Sequence, residues 1–232
     1  AMLRQPGLEC QVAVDERSAA FFALGIAKAT RCPVLLLATS GTAPANWLPA
    51  VIEASQSGIP LILISADRPP ELQACGANQT IDQVKLYCSA VRLFAEVGTP
   101  DAVVGLTAYW RALAGRAAAA ALGTLSRDPG PVHLNLAFRE PLVPNGDASW
   151  PEPLGGRPDG QPWTLVEPAD TLAPNASLPA RTLVMVGDAV PELGRDAVRL
   201  AEERGWPVIS EPSGNARSGP NAVSTGGLLL AS

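Results

Sequence analysis

Short apolar runs alternate along the chain with longer stretches in which apolar residues recur every three or four positions. This alternation predicts an α/β fold built on a mainly parallel sheet. Residues 11–14, 33–38, 60–65 and 131–136 read as buried strands. Residues 18–30 and 44–57 read as helices, the second with a proline suited to a first helical turn. A third helix is expected around 105–122. Its alanine run at 117–121 is a strong helix former and reads as packing surface. Between 144 and 180 the pattern lapses: this stretch holds eight of the chain's 23 prolines, with Gly155, Gly156 and Gly160 among them, and reads as an extended linker. Beyond it, 181–186, 193–204 and 206–210 read as strand, helix and strand.

A two-strand unit cannot cover both faces of a parallel sheet. The second unit therefore reads as the beginning of a larger domain. The first strand is expected only about ten residues into the chain with no helix before it, so the front also reads as incomplete.

Composition narrows the chemistry. Over 232 residues, 47% are apolar and 17% charged, which excludes a disordered chain. Seventeen Lys and Arg against 22 Asp and Glu give a net charge of -5. With no basic block, nucleic acid is not expected as a partner. The chain has one histidine, His133, so multi-histidine metal sites are excluded. Cys10, Cys32, Cys75 and Cys88 contain no C-x-x-C pair and predict neither a zinc ribbon nor a redox couple. No stretch has the ~18 apolar residues of a membrane span, and residues 1–6 lack the apolar core of a signal peptide. A reduced, cytoplasmic protein is the expectation.

Three loops carry candidate chemistry, each with a plainer reading beside it. Asp15-Glu16-Arg17 stands at the carboxyl edge of the predicted sheet, where ligands bind in α/β folds. Carboxylates there also serve simply as helix caps. Thr39-Ser40-Gly41-Thr42-Ala43 is a tight strand-to-helix turn whose free amides suit an anion or a planar ring; it equally fits an ordinary capped turn. Ala66-Asp67-Arg68-Pro69-Pro70-Glu71, followed by Gly76-Ala77-Asn78-Gln79-Thr80, fixes an arginine near the sheet edge. That arginine either grips a carboxylate or pairs locally with Asp67 or Glu71. His133 lies on an apolar strand and reads as a core histidine. Val186-Gly187-Asp188 resembles a dinucleotide turn but lacks G-x-G-x-x-G.

Together these loops, with Gly130-Pro131-Val132-His133-Leu134-Asn135 and Glu140-Pro141-Leu142, resemble the 2-succinyl-5-enolpyruvyl-6-hydroxy-3-cyclohexene-1-carboxylate synthase family of thiamine-diphosphate enzymes, from 11 to about 144. The resemblance implies a pyrimidine-binding domain at 1–146 lacking its first strand, a Pro/Gly-rich linker at 147–180, and at 181–232 the beginning of a Rossmann-like central domain. The diphosphate-binding domain would be absent. In such enzymes the carboxyl at the position of Glu16 hydrogen-bonds the cofactor's aminopyrimidine and favours its imino tautomer, so the cofactor acts as its own base. The resemblance further implies cofactor contacts at Ser40, Gly41 and Thr42, and substrate contacts at Arg68, Asn78 and Gln79. Mg2+ would be held by the missing domain, not by this chain. The implied reaction is decarboxylating addition of the four-carbon unit of 2-oxoglutarate to isochorismate in menaquinone biosynthesis, by a homodimer or homotetramer whose subunits share each site. Two alternatives remain. One is an acetolactate synthase or decarboxylase type of thiamine enzyme; the other is a non-catalytic interface module.

Overall fold

A computed structural model of the chain describes residues 7–143, 152–153, 155–167 and 178–230. The chain divides into two compact units, 1–170 and 171–232.

The first unit is a parallel α/β sheet, as the alternation predicts. Helix α1 (Glu16–Thr30) starts where the Asp15 carboxylate accepts the Ser18 N–H at 2.7 Å and stops at Arg31 in the left-handed region. Its buried stripe is Ala20, Ala23 and Ala27, side chains small enough to bring the helix close to the sheet. Strand β1 (Val34–Ala38) pairs in parallel with β2 (Leu61–Asp67). The intervening helix is broken into α2 (Thr42–Ala45) and α3 (Leu48–Gln56), where one helix over 44–57 was expected. Pro49 lacks the N–H that would continue the α2 ladder, so the chain restarts at Leu48.

Beyond β2 come β3 (Leu93–Glu96), α4 (Leu106–Ala121) and β4 (Val132–Ala137). The spatial order is β1-β2-β4-β3, with all pairs parallel. Strand β3 was not anticipated, and the strand expected at 11–14 does not form: Val12 and Val14 are exposed. Apolar alternation favours a strand, but a strand exists only when a neighbour completes its ladder. Among the described residues, β1 pairs with β2 alone.

Helices α1 and α3 cover one face over Leu36, Leu61 and Leu63. On the other face, α4 covers Ile62, Val132 and Leu134. Complete burial of Leu61 and Leu63 contributes about 1.5–3 kcal/mol each. At the amino edge Arg92 clamps three segments, donating to Ser55 Oγ and Ser55 O at 2.8 Å and to Asp128 Oδ1 at 2.9 Å.

The described part of the Pro/Gly-rich stretch is fastened to α4. Glu152 accepts the Gly105 and Thr107 N–H groups at 2.8 and 3.0 Å, capping the helix start with a carboxylate. These bonds hold its carboxyl below the usual range. The Arg111 guanidinium lies 5.9 Å from the Trp163 ring centroid.

In the second unit, β5 (Val184–Val186) and β6 (Val208–Ser210) pair in parallel across α5 (Pro191–Arg204), which ends at Gly205 in the left-handed region. A short α6 (Gly226–Leu230) follows. Val186, Ala201, Trp206 and Val208 form the core.

Candidate active site at the carboxyl edge of the sheet

Because the four strands are parallel, their carboxyl ends meet at one edge. The turn after β1 is fixed there from two directions. Ser40, 2% exposed, donates its hydroxyl to the Gln79 carbonyl at 2.9 Å. The Gln79 amide returns bonds to Thr39 Oγ1 at 2.9 Å and the Ser40 carbonyl at 3.1 Å. Gly41 has φ +83°, and a Cβ there would lie 3.0 Å from Gln79 Cγ, so both conformation and space call for glycine. Its N–H donates to Gln83 Oε1 at 2.8 Å. Two loops that looked separate in the sequence are therefore one hydrogen-bonded unit.

The shoulder after β2 is built around Asp67. Its Oδ1 accepts the Arg68 N–H at 2.7 Å and the Gln73 amide at 3.2 Å. Gln73 also donates to the Arg68 carbonyl at 2.9 Å. The local ion pair weighed for Arg68 does not form. Glu71 instead takes Arg139 in a two-pronged pair, the second prong at 3.0 Å, and the Arg139 contact holds the Glu71 carboxyl below its ordinary range. The Arg68 Nε reaches the Asn78 carbonyl at 3.3 Å, and no described carboxylate pairs with its guanidinium.

Beneath these loops lies a polar row set by strand register, buried at Ser65 and Asn135 and exposed at Glu96. Asn135 on β4 is flanked by Ser65 on β2 and Glu96 on β3. Its Oδ1 accepts from Ser65 at 2.7 Å and Gln83 at 2.9 Å. Its Nδ2 donates to Asp67 at 2.8 Å and to Glu96 at 3.1 Å. Desolvation, with Asp67 and Asp82 nearby, pushes the Glu96 carboxyl up despite the Asn135 bond. Two residues back, His133 is fully buried, its Nε2 2.7 Å from Ser65 Oγ. Burial lowers its pKa from 6.5 to about 4, which keeps it neutral, as the core reading expects.

Asp67, Arg68, Gln73, Thr80, Asp82 and Glu96 line a cleft of about 660 Å³. Ser40, Gly41 and Gln79 thus stand together, and Arg68 meets Asn78 through a backbone carbonyl. Thr42 opens α2, with its side chain exposed and its carbonyl accepting from Asn46 at 3.1 Å. Half-buried Glu16 opens α1. Its neighbour Asp15 serves as the cap, and among the described residues no hydrogen bond or ion pair occupies the Glu16 carboxylate. Gln83, Asn135, Asp67 and Glu96 were missed as partners in the site. The signal for Asn135 was present: His133 and Asn135 alternate with Val132, Leu134 and Leu136 on a strand otherwise apolar.

Residues 1–86 match the family described as thiamine pyrophosphate enzyme, N-terminal TPP binding domain. The chain is 53% identical over 96% of its length to a 2-succinyl-5-enolpyruvyl-6-hydroxy-3-cyclohexene-1-carboxylate synthase of Saccharopolyspora erythraea. It is 50% identical over 94% to the synthase of that name in Thermobifida fusca and 49% identical over 95% to that of Dechloromonas aromatica. The chain spans about two-fifths of the length of these curated relatives, covering 40%, 39% and 41% of them.

Proposed function

We propose, from the premise that the chain belongs to the thiamine pyrophosphate enzymes, that it is the pyrimidine-binding part of a 2-succinyl-5-enolpyruvyl-6-hydroxy-3-cyclohexene-1-carboxylate synthase. The reaction in this reading is decarboxylating addition of the four-carbon unit of 2-oxoglutarate to isochorismate. The observation that carries it is identity of 53% over 96% of the chain.

The residues present fit such a cofactor. Glu16 offers a carboxylate with no competing partner among the described residues, half-buried at a helix start, suited to accept an N–H from an aminopyrimidine. Ser40, Gly41 and Thr42 form the turn after β1, whose backbone is held by Gln79 and Gln83 so that it need not reorganise on binding. Bound there, thiamine diphosphate supplies the carbon nucleophile and the electron sink for decarboxylation.

Arg68 lines the cleft with no carboxylate paired to it among the described residues and is the group that holds a substrate carboxylate bidentately. Asn78 and Gln79 lie on the loop bordering it. The exposed Asn78 side chain supplies a neutral donor and acceptor for the substrate, and Gln79, whose amide nitrogen is spent on Thr39 and Ser40, supplies its side-chain oxygen as an acceptor. Mg2+ bound outside this chain, a second subunit completing the cofactor site, the domain division at 146 and 180, and a cytoplasmic location belong to the same proposal.

The test is an assay of the intact protein with isochorismate and 2-oxoglutarate, with and without thiamine diphosphate and Mg2+. Release of CO2 with consumption of both substrates, dependent on cofactor, is the expected result; no cofactor-dependent turnover overturns the reading. The chain assayed by itself is expected to turn over nothing. Micromolar binding of thiamine diphosphate to it in a calorimetric titration with magnesium would refute the shared-site part of the proposal.

A further inference from the structure

Gln83 belongs to none of the loops singled out by sequence, yet its side chain is 1% exposed and polar at both ends. Its oxygen accepts the Gly41 N–H at 2.8 Å. Its nitrogen donates to the Ala66 carbonyl at 3.0 Å and to Asn135 Oδ1 at 2.9 Å. Asn135 in turn holds Asp67 Oδ2 at 2.8 Å, and Asp67 Oδ1 holds the Arg68 N–H at 2.7 Å. One carboxamide therefore spans the turn after β1 and the shoulder after β2. No other side-chain type fills the position. A carboxylate has no donor for Ala66 and Asn135, an ammonium has no acceptor for Gly41, and a hydroxyl is too short to reach both.

We infer that Gln83 is a positioning residue with separable ends, its oxygen setting the Gly41 turn and its nitrogen setting the Arg68 shoulder. The inference rests on the proposed thiamine-dependent reaction, in which the turn faces cofactor and Arg68 faces a substrate carboxylate. Being buried and spent on three protein groups, Gln83 acts through its neighbours and touches neither ligand.

Two substitutions in the intact protein separate the ends. Gln83→Glu keeps an acceptor for Gly41 but loses the donor. Gln83→Met keeps the approximate volume and loses both. For Gln83→Glu, the thiamine diphosphate concentration giving half-maximal rate should stay within about twofold of the parent's, while the KM for one of the two carboxylate substrates, isochorismate or the 2-oxo acid, rises about tenfold. That rise should diminish from about pH 8 to about pH 6, because protonation gives the introduced carboxyl a donor again. Asp67, Asp82 and Glu96 at the cleft and His133 beyond Ser65 are the other titratable groups facing this region, so the parent's profile is the reference. Gln83→Met should raise both constants about tenfold at every pH.

Hydrogen exchange at the Gly41 amide provides a readout independent of turnover, retained protection being expected in Gln83→Glu and lost protection in Gln83→Met. Equal shifts of both constants in both variants, or no shift in either, overturn the inference. So does loss of the fold in both, which would make Gln83 a folding residue only. If Gln83→Met alone fails to fold, the split and its pH recovery in Gln83→Glu decide. A parent without thiamine dependence refutes the proposed function instead, and Gly41 exchange then still tests the positioning.

Discussion

The two units fasten their strand ends differently. In the first, Gln79 and Gln83 hold backbone segments apart at the reach of an amide side chain, and Asn135 ties the side chains of Ser65, Asp67 and Glu96. In the second, backbone approaches backbone: a Cβ on Gly214 would sit 2.5 Å from the Gly187 carbonyl oxygen, and one on Gly194 2.5 Å from that of Asn215. Asn215 contributes the amide there, donating to the Ala189 carbonyl at 2.7 Å. The difference is one of spacing. Glycine contacts close a gap, which stabilises through dispersion and leaves no room at that point. Side-chain amides keep a gap open while fixing its walls: Asn135 holds Asp67 and Glu96, which line the cleft beside Arg68. Burial of Gln83 and Asn135 requires that nearly every polar atom be matched.

The sharpest way to break this comparison is to change a group outside the amide scaffold that the proposed function assigns to the cofactor. Glu16→Gln in the intact protein should lower kcat by about 10²–10⁴ while leaving the thermal midpoint unchanged, since no described partner loses a bond. A matching fall in the midpoint would show that Glu16 belongs to the scaffold after all.

Next in size is the acid sensitivity of the polar row. The folded pKa of His133 is depressed from 6.5 to about 4, so between those values the unfolded state binds the extra proton. Stability should therefore fall as pH drops through that window, by about 3 kcal/mol at its acid end. As the chain has one histidine, this contribution should vanish in His133→Phe. Denaturant titrations of both proteins at several pH values would show it as a difference in slope.

The smallest effect tests the glycine-fastened unit. Gly214→Ala forces a methyl against the Gly187 carbonyl and should destabilise the second unit by about 1–3 kcal/mol, read by hydrogen exchange along α5. Exchange along β2 and β4 should not move.

The parallel fold was legible because β1 and the first half of β2 are continuous apolar runs, β4 is apolar apart from His133 and Asn135, and α1, α4 and α5 carry helical spacing. Strand β3 was not, since Leu93, Phe94, Ala95 and Glu96 form too short a run to stand out and only pairing with β4 makes them a strand. The break between α2 and α3 was legible in principle from Pro49, which the longer reading passed over. At the site, the sequence marked Ser40, Gly41, Arg68, Asn78 and Gln79 by local turn chemistry. It did not mark Gln83 or the row through Asn135. Those contacts join residues 17 to 70 positions apart; strand register brings Ser65, Asn135 and Glu96 together, and Gln83 reaches them from a loop.

The direction of bonding around Ser65 has a consequence for spectroscopy. Asn135 turns its Nδ2 to the carboxylates, so its Oδ1 takes the Ser65 proton and His133 must present Nε2–H to the Ser65 oxygen. The other ring nitrogen, Nδ1, has no described partner. A chain labelled with ¹⁵N-histidine therefore carries a single imidazole whose two nitrogens give one protonated and one bare resonance, free of overlap from any other histidine. That pair of signals is a native gauge of the interior, able to register a ligand's arrival at the sheet edge without an attached probe.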